Sequence, residues 1–303
     1  MTSPSSIAPQ GASTRHALVV LFFLTIVWGL NWPAMRLAVQ GFPPWQFRAF
    51  CAAFGMVALF TIAKASGRDI RPPAGLWWKL ALAGVLNVAG WQVFSAMSLQ
   101  YIESGRGAII AYTMPLMTAL LSIPVLGEKI SPRVMAALLL GTGGMALLLP
   151  DDFLHRGDRQ LLGIGLMLCA ALSWALGTIQ LKYIKLPMPT MVATAWFFVF
   201  AFPVQLAGAM FETSPDLSTL TWPVVVGALY ASTIPVCFGY WAWFRLVEVL
   251  PATIASIATL ATPVLGVLSG AMLLGEPVGW REIASLSLVI VSLVLVLYRK
   301  PKE

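Results

Sequence analysis

The chain reads as an all-α polytopic membrane protein, with ten transmembrane helices in two inverted five-helix repeats and both termini in the cytoplasm. Three observations predict this. Of the 303 residues, 59% are hydrophobic and only 10% are charged, and a mean hydropathy of +0.84 leaves too little polar surface to keep a globule in water. The charged residues cluster around uncharged stretches of roughly 20 residues, the length a helix needs to cross the hydrocarbon core. These stretches are continuously apolar, whereas a membrane β-barrel would alternate. Finally, "PLMTALLSIPVLGEKISPR" from Pro115 to Arg133 is echoed 148 positions later by "PVLGVLSGAMLLGEPVGWR" from Pro263 to Arg281.

Breaking the chain at charged, Gly and Pro clusters places the spans at roughly 17–39, 43–64, 77–99, 104–126, 132–150, 161–183, 189–211, 222–246, 252–274 and 280–298. The first follows Arg15 and His16 and runs past Trp28 without a small-residue cleavage site. It is too long for a signal peptide and is expected to be a retained helix. The expected division is a cytoplasmic tail at 1–16, a first repeat at 17–150, a connecting loop at 151–160, a second repeat at 161–298 and a cytoplasmic tail at 299–303.

A cytoplasmic amino terminus puts 13 of the 19 lysines and arginines on the inside, as the positive-inside rule favours. Arg36, Arg48, Arg106, Arg156, Arg159 and Arg281 then fall outside. The two Leu-Gly-Glu segments lie on the fourth and ninth helices, five apart, and an odd number of crossings inverts the copy. Glu128 is therefore expected at the cytoplasmic face and Glu276 at the opposite one. Trp28 and Arg36 in "WGLNWPAMR" likewise sit 146 residues before Trp174 and Lys182 in "WALGTIQLK".

The net charge of +7 is scattered singly or in pairs at the ends of apolar runs, which fits topology better than a nucleic-acid partner. Cys51, Cys169 and Cys237 each lie inside an apolar run and suggest buried thiols, without a disulfide or metal framework. The only histidines, His16 and His155, fall outside the spans. No catalytic or metal-ligand set is evident, so neither enzyme activity nor a cofactor is expected. No acidic residue lies near a helix centre, which disfavours proton antiport through a central carboxylate.

The polar groups within the spans are neutral, and in hydrocarbon they must meet other helices or a wet cavity. The cavity candidates are Asn31, Asn87, Trp91, Gln92, Phe94, Tyr112, Trp174, Gln180, Tyr240, Ser256 and Thr259. Asn87, Trp91 and Phe94 recur at four and three residues, on one helical face. A mixed amide and aromatic face suits a small amphipathic ligand such as an amino acid. For any single residue, interhelical hydrogen bonding or packing is the competing role. Trp32 and Trp45, near helix ends, are expected to be interfacial anchors. Pro115 and Pro263 interrupt the fourth and ninth helices and are the hinge candidates; Glu128 and Glu276 are expected to fix helix ends or to gate.

"WGLNWPAMRLA" in the first helix, "FRAFCAA" in the second and the two proline-to-Leu-Gly-Glu segments together resemble the drug/metabolite transporter superfamily, specifically ten-helix proteins with two EamA domains. The resemblance spans about Ala17 to Tyr298 and within the family is nearest in style to the YddG-type exporters. It implies a secondary carrier in the inner (plasma) membrane that exports amino acids, aromatic ones among them, and related small metabolites by alternating access through a central cavity. Its expected partners are a small-molecule substrate and the lipid bilayer, with no nucleic acid and no partner protein. The alternatives are another metabolite, such as a nucleotide sugar, or a lipid flippase. Gly177 stands where the first half has Asn31, so any role of Asn31 is not duplicated.

Overall fold

Every described element is helical. The computed structural model describes residues 10–126, 132–147, 159–184, 186–249 and 261–297, with no strand among them. The helices in the first half are α1 (Gln10–Gly41), α2 (Pro44–Ala65), α3 (Trp77–Gly84), α4 (Trp91–Ser98), α5 (Ser104–Ala111), α6 (Met114–Leu126) and α7 (Pro132–Ala146). Those in the second are α8 (Arg159–Ile184), α9 (Thr190–Ala209), α10 (Trp222–Ile234), α11 (Tyr240–Val249), α12 (Ala261–Leu274) and α13 (Trp280–Leu297). Two π-helical segments, Val85–Gly90 and Pro235–Gly239, join α3 to α4 and α10 to α11.

Seven described stretches are long and apolar enough to cross a membrane: Val19–Gly41, Pro44–Ala65, Trp77–Ser98, Ser104–Val125, Arg159–Ile184, Thr190–Ala209 and Trp222–Leu246. The shorter apolar helices Met135–Gly144 and Thr262–Leu274, together with α13, occupy the fifth, ninth and tenth expected positions. Large apolar side chains such as Phe22, Val57, Leu139 and Met272 face outward, as a surface solvated by lipid tails requires. Trp222 and Trp280 are exposed at helix starts, where amphipathic rings meet the headgroups.

The packing obeys the repeat. α2 lies on α9 and α7 on α13, each helix on its own copy. α1 packs on α10 and α12, while α8 packs on α4 and α6. The second pair of contacts is the first with the halves exchanged, and all of them join one half to the other. Small residues allow this proximity: a Cβ on Gly84 would stand 2.5 Å from the Phe197 carbonyl, and one on Gly227 would stand 2.9 Å from that of Ala34.

The π segments fall at equivalent places, in the third and eighth helices. Pro235 supplies a local reason for its segment, since it has no N–H to donate to the carbonyl four residues earlier. In the other segment, the Asn87 side-chain amide donates to the Ala83 carbonyl at 3.2 Å.

The prolines differ from expectation in placement. Pro115 is the second residue of α6 and Pro263 the third of α12. A first-turn proline gives up an N–H that has no intrahelical partner anyway. In the fourth span the helix breaks at Tyr112 and Thr113, ahead of Pro115, where Tyr112 N–H reaches the Ala108 carbonyl and Thr113 N–H that of Ile110. Residues 250–260, ahead of α12, lie outside the described residues, as do Glu128, Ser256 and Thr259.

Candidate functional site: an aromatic cavity between the halves

A narrow cavity of about 50 Å³ opens where α1, α2, α4 and α8 meet the second π segment. Its walls come from both halves: Trp28, Asn31, Trp32 and Met35 of α1, Arg48 of α2, Trp91 and Gln92 of α4, Tyr112 and Met114 at the break in the fourth span, Trp174 of α8, and Ala231, Pro235, Val236, Tyr240 and Thr262.

One wall is a chain of rings in contact. Trp91 meets Trp174 with centroids 5.3 Å apart, Trp174 meets Tyr240 at 5.8 Å, and Trp28 meets Trp174 at 6.3 Å, all edge-on. Trp32 meets Trp91 at 6.4 Å. These tilted edges leave a negative ring face or a positive rim open to a guest. The repeat contributes directly: Gln92 and Tyr240 each follow the π segment of their half at an interval of 148, and Trp28 and Trp174 are matched at 146.

Arg48 carries the cavity's charge. It lies in the first two turns of α2 yet is only 2% exposed. Its contacts include the Met35 sulfur, to which a guanidinium NH2 donates, the Cys51 thiol and the face of Phe47, 4.9 Å from the ring centroid. Its Nε has no hydrogen-bond partner. Arg106 pairs with Glu103 and Glu282, whereas among the described residues no carboxylate pairs with Arg48 and none lines the cavity. Burying an ion without its counter-ion costs several kcal/mol, of order 3–5. Asn31 also holds an unpartnered buried oxygen, its Oδ1.

Of the sequence candidates, the structure gathers Asn31, Trp91, Gln92, Tyr112, Trp174 and Tyr240 around this cavity. Asn87, Phe94 and Gln180 lie outside its lining. Asn87 is wholly buried against α8, where a Cβ on Gly177 would stand 2.2 Å from its Nδ2. The glycine that replaces the counterpart of Asn31 thus makes room for Asn87. The π segment breaks the helical phase between Asn87 and the residues after it, and Phe94 is partly buried in the core. Gln180 donates to the Lys79 carbonyl at 2.8 Å.

Sequence reasoning missed Arg48, Trp28, Trp32, Met35 and Thr262. The charge bias counted Arg48 to the outer side, whereas its side chain turns back beneath α1. Trp32 was expected at the interface but is 4% exposed and lines the cavity. Gln205 of α9, also missed, donates to Gln92 Oε1 at 3.1 Å and braces it from behind.

The connections at 41–44, 99–104, 210–221 and 275–280 gather at one end of the bundle, and here the halves are clasped by carboxylates. Glu276 accepts from Ser104 N–H at 2.7 Å, Ser104 Oγ at 2.7 Å and Gly105 N–H at 3.0 Å, capping α5. Gly270 permits this approach, because a Cβ there would come within 2.3 Å of the carboxylate. Glu212 likewise accepts from Trp45 and Gln46 N–H at the start of α2, and Arg106 pairs with Glu282 at 2.9 Å. A surface recess beside Glu212 also contains Asp216. The hydroxyl and amide of Ser218 both donate to Asp216, holding its exposed carboxyl below the usual range.

Two stretches, 16–149 and 161–298, match the EamA-like transporter family. The chain is 26% identical over 287 residues to the uncharacterized transporter YvbV of Bacillus subtilis, covering 95% of this chain and 93% of that one. It is 27% identical over 299 residues to the WAT1-related protein At3g02690, chloroplastic, of Arabidopsis thaliana, with 96% and 72% covered. With the uncharacterized inner membrane transporter YedA of Escherichia coli K12 it shares 27% over 285 residues, with 91% and 89% covered. A solved crystal structure superposes with a TM-score of 0.64 at 19% identity, covering 93% of this chain and 96% of that one, and shows the same fold. A twofold helical bundle with a cavity between its halves, matched by a family model in each half, makes this chain a membrane transporter of the EamA-like family.

Proposed function

We propose that the chain exports amino acids, aromatic ones among them, across the inner membrane, with both termini in the cytoplasm. The observation that carries this reading is a buried, unpaired guanidinium beside a wall of four tryptophans and a tyrosine. A carboxylate is the planar partner a guanidinium lacks. An aromatic or apolar side chain would lie along Trp28, Trp91, Trp174 and Tyr240, and an ammonium group would meet Asn31 Oδ1 and the indole faces. The cavity would serve each side of the membrane in turn as the two halves rock against one another. The Glu276, Glu212 and Arg106 clasps would hold one end shut; under the lysine and arginine bias this is the outer end.

Counterflow of radiolabelled phenylalanine and tryptophan into sealed liposomes containing the purified protein tests the reading. Saturable uptake above protein-free liposomes is expected, competed by unlabelled aromatic amino acids. No counterflow across an amino-acid panel with monodisperse protein would refute it.

A further inference from the structure

We infer that the cavity recognises the carboxylate and the ring of its solute but not the ammonium, so that it also binds and carries aromatic monocarboxylate anions. This rests on the amino-acid reading of the same cavity and narrows what that cavity demands.

The two ends of a zwitterion meet very different partners here. A carboxylate meets Arg48, which is charged, nearly fully buried and unpartnered at Nε. Hydrogen bonds between ionised groups are shorter and roughly twice as strong as neutral ones, and the guanidinium fork presents parallel donors to both oxygens. An ammonium group brings three donors, yet none of the fifteen lining residues is acidic. It finds two unpartnered neutral oxygens, Asn31 Oδ1 and Thr262 Oγ1, and indole faces. Stripping its water for so few acceptors is unfavourable. Deleting the ammonium removes that penalty and leaves the guanidinium contact and the ring stacking intact.

The net charge of the occupied site points the same way. A zwitterion leaves Arg48 and its own ammonium as an excess positive charge in a low-dielectric cavity, whereas a monoanion makes the pair neutral. An amine without a carboxylate places two like charges together.

The test is isothermal titration of the full-length protein, purified in detergent, with three ligands sharing one ring: 3-phenylpropanoate, L-phenylalanine and 2-phenylethylamine. The expected result is that 3-phenylpropanoate binds at least as tightly as phenylalanine, with the amine at least tenfold weaker than either. In a monodisperse Arg48→Gln protein, the preference for the acids over the amine should fall to within about threefold, and Arg48→Lys should recover part of it. If phenylalanine binds and 3-phenylpropanoate binds tenfold or more weakly, the inference fails and the amino-acid reading stands. If 3-phenylpropanoate binds and phenylalanine does not, the inference stands and the amino-acid reading fails. Binding of neither acid sinks both. A folded Arg48→Gln protein that keeps the full preference overturns the assignment to Arg48, and if that variant does not fold, the wild-type series and Arg48→Lys decide.

Discussion

Arg48 and Trp174 show how unevenly a cavity can be read from a chain. Trp174 was legible because it repeats Trp28 at a fixed interval within an apolar run, and both line the site. Arg48 was not, because a basic residue one turn from a loop ordinarily lies in the interface. Its direction depends on the space left beneath Met35 and beside Phe47, and no periodicity encodes that. Replacing Trp174 with Ala removes the ring that touches Trp28, Trp91 and Tyr240. We expect a loss of binding of about tenfold or more, since edge-on pairs contribute roughly 0.5–1.5 kcal/mol each beyond burial; titration of the purified variant with phenylalanine measures it. Gly177→Ala should destabilise the fold by about 1–3 kcal/mol through overpacking against Asn87, visible as a lower melting temperature. Adding Asn87→Ala should relieve the clash, and a double mutant melting no higher than Gly177→Ala would count against it.

Helix by helix, the span pattern was open to sequence reading because ten apolar stretches had to be separated by charge, Gly or Pro. The internal irregularities were less so. A π segment is a choice among backbone hydrogen bonds, and apart from Pro235 the side chains around the two segments carry no simple mark of it. That segment sets the rotational phase of everything after it. Pro235→Ala restores the missing donor and should let the helix tighten, turning Tyr240 away from Trp174. The expected result is normal membrane insertion with counterflow reduced at least tenfold; counterflow within twofold of wild type would show that the π turn does not place Tyr240. The clasp belongs to this scale too. The Leu-Gly-Glu motif made Glu276 visible as a helix-end carboxylate, while its partners at Ser104 and Gly105, 172 and 171 residues away, were not visible. Glu276→Gln keeps the shape but weakens the cap on α5, by about 0.5–2 kcal/mol. Cysteines placed in the recess beside Gln100 should then react faster with an impermeant thiol reagent, and unchanged labelling would show that the clasp does not hold that end shut.

For the whole molecule, the repeat was the part most open to reading, since the echo of one helix by another implies an exchange of halves, and the packing follows that exchange. What resisted was the asymmetry within it: Gly177 facing Asn87, and Arg48 of the first half as the one charged residue in the cavity's lining. A guanidinium does not deprotonate in the physiological range, and phenols titrate near pH 10 in water. None of the cavity's lining residues is a carboxylate or a histidine. Affinity for an aromatic carboxylate should therefore be flat between pH 6 and 8, to within about twofold. A tenfold change across that range would place a titrating group at the site.

The same lone charge bears on what drives the cycle. When a zwitterion crosses with the cavity, no net charge is moved; when an anion crosses, one is. An energised membrane, negative on the cytoplasmic side, favours outward movement of that anion by about 2.3 kcal/mol per elementary charge for every 100 mV. One positive side chain fixed in the wall, with no acidic residue in the lining beside it, would let voltage set the direction of movement for such solutes.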